Sequence, residues 1–147
     1  MIADANAAKT LTLAWEAVRD DRNVIVGNLN MATMAGRPAS GVFRDLCFNL
    51  LLARGFSVIE DSLEEFRSQG TFVSKSRQLG RMMEMSRTAV PWCDYDQIDH
   101  ARERRNATVH DRVRLPHSEC RDYLAAIERE LVRWHIVAAV KPELWHW

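Results

Sequence analysis

The chain has 147 residues, of which 47% are hydrophobic and 27% charged, and its formal net charge at pH 7 is zero. These values are typical of one globular domain, 1–147, with a helical core at about 5–140 and a short tail at 141–147. The sequence also predicts no membrane span, since no apolar run approaches the roughly 18 residues required. The N-terminus lacks a secretory pattern and the three cysteines are widely spaced, so we expect a cytoplasmic protein that does not bind a membrane.

The first half of the chain predicts two long helices, because its apolar residues recur at helical spacing. The first helix is predicted at about 5–28, with Trp15 on its apolar stripe. A loop containing glycine and proline is predicted at 30–41, before a second helix at 42–68 in which Gly55 is a candidate kink. The early apolar stripe of this second helix consists of Phe43, Leu46, Leu50 and Ala53.

The middle of the chain predicts a third and a fourth helix. Ser74 is a candidate N-cap for a helix at about 75–90. Asp94 and Gln97 have the spacing of a capping box, which predicts a helix at about 95–112.

The last predicted helix, at about 119–140, has the most regular stripe in the chain and is followed by Pro142. Its stripe consists of Cys120, Leu124, Ile127, Leu131, Trp134 and Ala138. Four or five helices with short connections predict an all-α, up-and-down helical bundle.

The stretch RRNATVH, residues 104–110, interrupts the apolar stripe of the fourth helix. Arg105 falls on that stripe, while Asn106 and His110 lie to one side because successive residues turn by about 100°. The members of the stripe are Ile98, Ala101, Arg105 and Val109.

Two explanations remain open for an arginine at this position. Arg105 is either a structural residue paired with Glu60 or Asp61, or part of a face that meets a partner and forms a site. In the first case His110 has no special role.

The stretch RNATVH resembles the Arg-polar-x-x-x-His signature of HEPN domains (higher eukaryotes and prokaryotes nucleotide-binding). Its position is also similar, because it lies near the end of one helix and a long terminal helix follows. The resemblance covers about 5–140 and implies a HEPN-like bundle.

The resemblance implies a homodimer in which two motif helices face each other across a cleft, and an activity as a metal-independent endoribonuclease. By matching position, Arg105 binds the scissile phosphate, His110 transfers protons and Asn106 orients one of them. The family also suggests a role in toxin–antitoxin or phage-defence biology, with a cognate antitoxin or defence protein as partner.

Arginine accounts for 17 of the 20 basic residues, a bias compatible with RNA, since the guanidinium binds phosphate and stacks on bases. We expect Arg102, Arg104 and Arg112 to contact RNA. Arg112 also marks a departure from one toxin subgroup of the family, in which a tyrosine two positions after the histidine is modified by a partner enzyme. That mode of control is not expected here.

Three alternatives stay open beside the ribonuclease. The chain is a catalytically inactive HEPN-like module for dimerisation or nucleotide or RNA binding, or it is an unrelated bundle, or it holds zinc through His117 and Cys120, with Cys93 and His100 nearby. No paired Cys-x-x-Cys and no glycine-rich phosphate loop occur, so we expect no metal and no cofactor.

Overall fold

The computed structural model describes residues 1–139 and Trp145, and within them every regular element is a helix. The helices are α1 (Ala5–Met34), α2 (Gly41–Ser68), α3 (Leu79–Ser86), α4 (Tyr95–His110) and α5 (His117–Arg133). The predicted all-α bundle is therefore confirmed at the level of fold class. None of the helices in the described ranges is long and apolar enough to cross a membrane.

Helix α2 is the centre of the bundle, since it packs against each of the other four helices. One continuous apolar cluster includes residues from all five helices, and the fully buried Trp15, Phe56 and Trp134 are among its largest members. Complete burial of a large apolar side chain stabilises a fold by about 1.5–3 kcal/mol. Gly55 does not break α2. A β-carbon there would lie 3.0 Å from Leu124 Cδ2, so the glycine permits close packing of α2 on α5.

The predicted early core stripe of α2 was wrong. Phe43, Leu46 and Leu50 are 55%, 49% and 69% exposed. The opposite face of the same turns enters the core instead, through Phe48, Leu51, Leu52 and Phe56. Both faces of this segment are apolar, so its periodicity could not identify the buried one.

Helix α1 is longer than predicted and continues to Met34, followed by a connection in which Gly36 has a positive φ of 71°.

Helix α3 is shorter than predicted and begins at Leu79. Ser74 does not cap it, because Gln78 occupies the N-cap position, and the Ser74 hydroxyl donates to the carbonyl of Ser76 instead. Met82 and Met83 of this helix are buried, whereas Met85 is 52% exposed.

The last helix begins earlier and ends earlier than predicted, at His117 and Arg133. His135 adopts a left-handed φ of 60°, and the chain then turns so that Ile136 and Val137 enter the core. The stripe from Cys120 to Trp134 is buried as predicted, but Ala138 is exposed. The predicted stop at Pro142 and the tail at 141–147, apart from Trp145, lie outside the described residues. The Trp145 ring is buried, and its Nε1 donates to Glu128 Oε2 at 3.0 Å.

Candidate active-site groove

Helix α4 begins as predicted, because the Asp94 side chain accepts a hydrogen bond from the backbone N–H of Gln97. The first half of its apolar stripe, Ile98 and Ala101, is fully buried. The stripe leaves the core in the second half, where Arg105 is half-buried and Val109 is 66% exposed. The face that carries the motif is therefore not packed inside this chain.

The motif lines a groove of about 850 Å³ that is open to solvent. Arg102, Arg105, Asn106 and His110 line it from α4, and Glu60 lines it from α2. The rest of the lining belongs to α3, to the residues on either side of it and to the first turns of α4. These residues are Gln78, Leu79, Gly80, Arg81, Glu84, Arg87, Tyr95, Asp96 and Asp99. The three predicted catalytic residues thus share one cavity, and Arg102 shares it with them.

Arg105 has no carboxylate partner among the described residues, where no Asp or Glu oxygen lies within 4.0 Å of its guanidinium. Its one side-chain hydrogen bond runs from Nη1 to Asn106 Oδ1 at 3.3 Å. Glu60 lines the same groove without pairing with Arg105, and Asp61 does not line it. The predicted alternative of an ion pair with Glu60 or Asp61 is therefore absent from this part of the chain. The Asn106 contact fits a residue that orients the guanidinium.

The other arginines of the groove are each paired with a carboxylate. Arg81 pairs with Glu84 at 2.8 Å, and Arg102 pairs with Asp99 at 2.8 Å. Arg87 pairs with Asp96 at 3.1 Å and also lies over the Tyr95 ring, 4.7 Å from its centroid. The fourth arginine, Arg105, is the only cation of this set without such a partner in the described structure. These four cations are balanced by four carboxylates, Glu60, Glu84, Asp96 and Asp99.

His110 is the final residue of α4 and is exposed. Its ring makes no hydrogen bond to any residue that the structure describes. The groove therefore contains a histidine and an arginine from successive turns of one helix. Histidine is the side chain most often used for proton transfer in catalysis.

Arg104 and Arg112 do not line the groove. The guanidinium of Arg104 donates to both carboxylate oxygens of Glu119, from Nε at 2.7 Å and from Nη2 at 3.1 Å. Arg112 follows the helix end with a left-handed φ of 54° and is exposed. Of the three arginines predicted to contact RNA, only Arg102 shares the groove with the motif.

Sequence reasoning missed the cluster that Arg104 forms with α5. The Tyr123 hydroxyl donates to Glu119 Oε1 at 2.9 Å, and the His100 ring lies against the Tyr123 ring at 6.1 Å. The hydrogen bond from Arg104 lowers the pKa of Glu119, and burial raises the pKa of Tyr123 to about 12. The cluster holds α4 on α5. Nothing in the local pattern identifies it, because its members come from two helices joined by a loop.

The zinc alternative gains no geometric support. His117 Nδ1 lies 3.2 Å from Asp45 Oδ1, and burial raises the pKa of the Cys120 thiol to about 12. Among the described residues, no three His, Cys, Asp or Glu side chains form a group that could hold a metal ion.

Comparisons with protein-family models, with curated proteins and with solved structures found no match for this chain. The likeness to HEPN domains therefore depends on the motif and its position in the helical order.

Proposed function

We propose that this chain is a HEPN-type, metal-independent endoribonuclease that acts as a homodimer. The observation that carries the proposal is the state of Arg105, a half-buried arginine in an open groove with no carboxylate partner among the described residues. A cation in this environment favours binding of an anion such as a phosphodiester. Asn106 and His110 line the same cavity.

The proposed reaction needs a base, an anion-binding group and no metal. His110 removes the proton from the ribose 2′-hydroxyl, and the 2′ oxygen attacks the adjacent phosphorus. The bond from phosphorus to the 5′ oxygen breaks, and that oxygen takes up a proton from water, while His110 returns its proton to the solvent. The products are a 2′,3′-cyclic phosphate and a 5′-hydroxyl. Arg105 stabilises the charge that develops on the phosphoryl oxygens, and Asn106 holds the guanidinium in position.

The proposed dimer brings two copies of α4 together. The exposed Val109 and the half-buried Arg105 lie on the face of α4 that its own chain leaves uncovered. Pairing of two such faces would enclose the groove and exclude water from the phosphate. A role in toxin–antitoxin or phage-defence biology, with a cognate protein partner, belongs to the same proposal through the family resemblance.

A second candidate function is a catalytically inactive module that binds a nucleotide or RNA. The charge balance of the groove favours it, because four arginines are matched by four carboxylates. Binding of long RNA gains much of its strength from uncompensated positive charge. A groove in which positive and negative charges are equal in number is better suited to a short ligand that is held by local contacts.

Incubation of the purified chain with RNA in EDTA tests the enzyme proposal. We expect cleavage that persists in the chelator, leaves 2′,3′-cyclic phosphate ends and spares DNA of the same sequence. Activity that EDTA abolishes and magnesium restores would contradict the mechanism. Binding of a nucleotide or RNA without cleavage would favour the second function.

A further inference from the structure

The outer face of the α1–α2 hairpin is apolar and exposed. We call it the hairpin surface, defined by Val24, Gly27, Met31 and Met34 of α1 and by Phe43, Leu46 and Leu50 of α2. On each helix these positions follow a helical repeat of three and four residues, so they form one stripe per helix. Its six large side chains are between 49% and 88% exposed.

The two stripes lie side by side. A groove of about 300 Å³ lies between α1 and α2. Asp21, Val24 and Ile25 line it from α1, and Cys47, Leu50, Leu51 and Arg54 line it from α2. Asp21 and Arg54 form an ion pair with each other. The stripes therefore form a single surface with a recess between them, into which a side chain from another molecule can insert.

The hairpin surface carries little net charge. Residues 23–36 and residues 46–53 contain no Asp, Glu, Lys or Arg. Arg44 and Asp45 follow Phe43 in the sequence, and Asp21 and Arg54 in the recess are paired with each other. A solvent-facing helix surface normally carries charged side chains. The centres of protein–protein interfaces lack charge and are enriched in methionine and aromatic residues, and Met31, Met34 and Phe43 supply these types.

Gly27 leaves open space in which a helix from another molecule can approach this surface. A glycine within a helix costs stability relative to alanine. At Gly55 the close approach of Leu124 explains the glycine, but a β-carbon at Gly27 would meet nothing within 4 Å. Within the described chain, no close contact offsets the stability cost of the glycine at 27. Close packing of a second helix against this position would offset it.

We propose that the hairpin surface binds the same surface of a second copy of this chain across a two-fold axis. With full residue surfaces of roughly 150–200 Å², the exposed side chains amount to about 700 Å², close to the ~800 Å² that one partner contributes to a stable complex. A two-fold axis requires a self-complementary surface, and paired apolar stripes with a small residue satisfy that requirement.

This contact is separate from the one proposed through α4. The hairpin surface and the motif groove share no residue, and α1 contributes no residue to the lining of the groove. The inference therefore does not depend on the ribonuclease function and holds even if the groove never cleaves RNA.

Sedimentation velocity of the full chain over a range of concentrations tests the proposal, with circular dichroism to confirm folding. We expect the wild type to self-associate and the double variant Leu46→Glu/Leu50→Glu to associate about tenfold or more weakly. Val73→Glu is the matched control, because Val73 is 77% exposed and lies outside the hairpin surface. It should associate like the wild type.

Gly27→Leu is the second variant. It should leave the fold intact, since its side chain starts from open space, and should weaken association by about tenfold because the partner helix can no longer approach. A wild-type mass of one chain, 16.9 kDa, at every concentration would overturn the proposal, as would variants that associate like the wild type.

Val109→Glu separates this contact from the one proposed through α4. Association lost in Val109→Glu and retained in the double variant would overturn the hairpin contact and leave the proposed function standing. The reverse pattern would support the hairpin contact and contradict the α4 dimer.

Discussion

Two neighbouring residues of α4, Arg104 and Arg105, have identical side chains in different surroundings. Arg104 faces α5, where Glu119 accepts two hydrogen bonds from it. Arg105 lines the open groove, and its one side-chain hydrogen bond is to Asn106. A guanidinium with its hydrogen bonds satisfied by a carboxylate stabilises the fold, whereas one without such a partner is available to bind an anion. We therefore propose different roles for the two arginines, a structural role for Arg104 and anion binding for Arg105.

The largest expected effect of a substitution is on catalysis at His110. If the chain is a ribonuclease, His110→Ala removes proton transfer and lowers the cleavage rate on the order of 10²–10⁴-fold. The melting temperature should be unchanged, because His110 is exposed and makes no hydrogen bond within the described structure. Rate and melting temperature are to be measured on the same preparation. A fully active His110→Ala variant would show that this residue has no catalytic role.

Alanine substitutions at the two arginines should have different effects on stability. Arg104→Ala leaves Glu119 without its ion-pair partner and should cost about 1 kcal/mol, a modest value because the pair is partly exposed. This loss corresponds to a fall of about 3 °C in melting temperature. Arg105→Ala should leave the melting temperature nearly unchanged, since no carboxylate of the described chain depends on it.

Thermal unfolding of these two variants beside the wild type tests this prediction. A destabilisation of several kcal/mol in Arg105→Ala would indicate a buried carboxylate left without its partner. Arg105 would then be a structural residue, and its guanidinium would not be available to bind a phosphate.

The smallest expected effect is a pH dependence of stability from Glu119. The hydrogen bond from Arg104 lowers the pKa of Glu119 below its ordinary value of 4.5. Because the folded pKa is the lower one, this stabilisation is complete above about pH 4.5 and is lost as the pH falls toward the folded pKa. Burial raises the pKa of Glu130, so this residue changes the stability with pH in the opposite direction. The contribution of Glu119 must therefore be measured as a difference between the wild type and a Glu119 variant.

The difference in melting temperature between wild type and Glu119→Gln isolates that contribution. We expect it to be constant between about pH 7 and pH 5 and to shrink below about pH 4.5. A difference that stays constant down to about pH 3 would mean that the charge of Glu119 does not stabilise the fold.

The start of α4 could be predicted from its capping side chain, and the starts of α1 and α2 to within about a residue from their helical repeats. The end of α5 could not, since apolar residues continue past Arg133 and only the left-handed turn at His135 redirects them. The buried face of α2 could not be predicted either, because both of its faces are apolar near Leu50.

The motif half of the groove could be predicted from the sequence, since Arg105, Asn106 and His110 lie within two turns of one helix. The opposite wall could not, because Gly80 and Arg81 reach the groove only through the packing of α3 on α4. The same limit applies to Arg104. Its sequence context is as basic as that of Arg105, and only the fold places Glu119 beside it.

Cleavage of RNA by Arg104→Lys and Arg105→Lys, measured in EDTA beside the wild type, tests the assignment of these two arginines most directly. A lysine keeps the charge but cannot reproduce a two-pronged donor. We predict that Arg105→Lys loses on the order of 10²-fold in rate, while Arg104→Lys stays within a few-fold of the wild type. Equal losses in both variants, a larger loss in Arg104→Lys, or no cleavage by the wild type would contradict the proposed roles of the two residues.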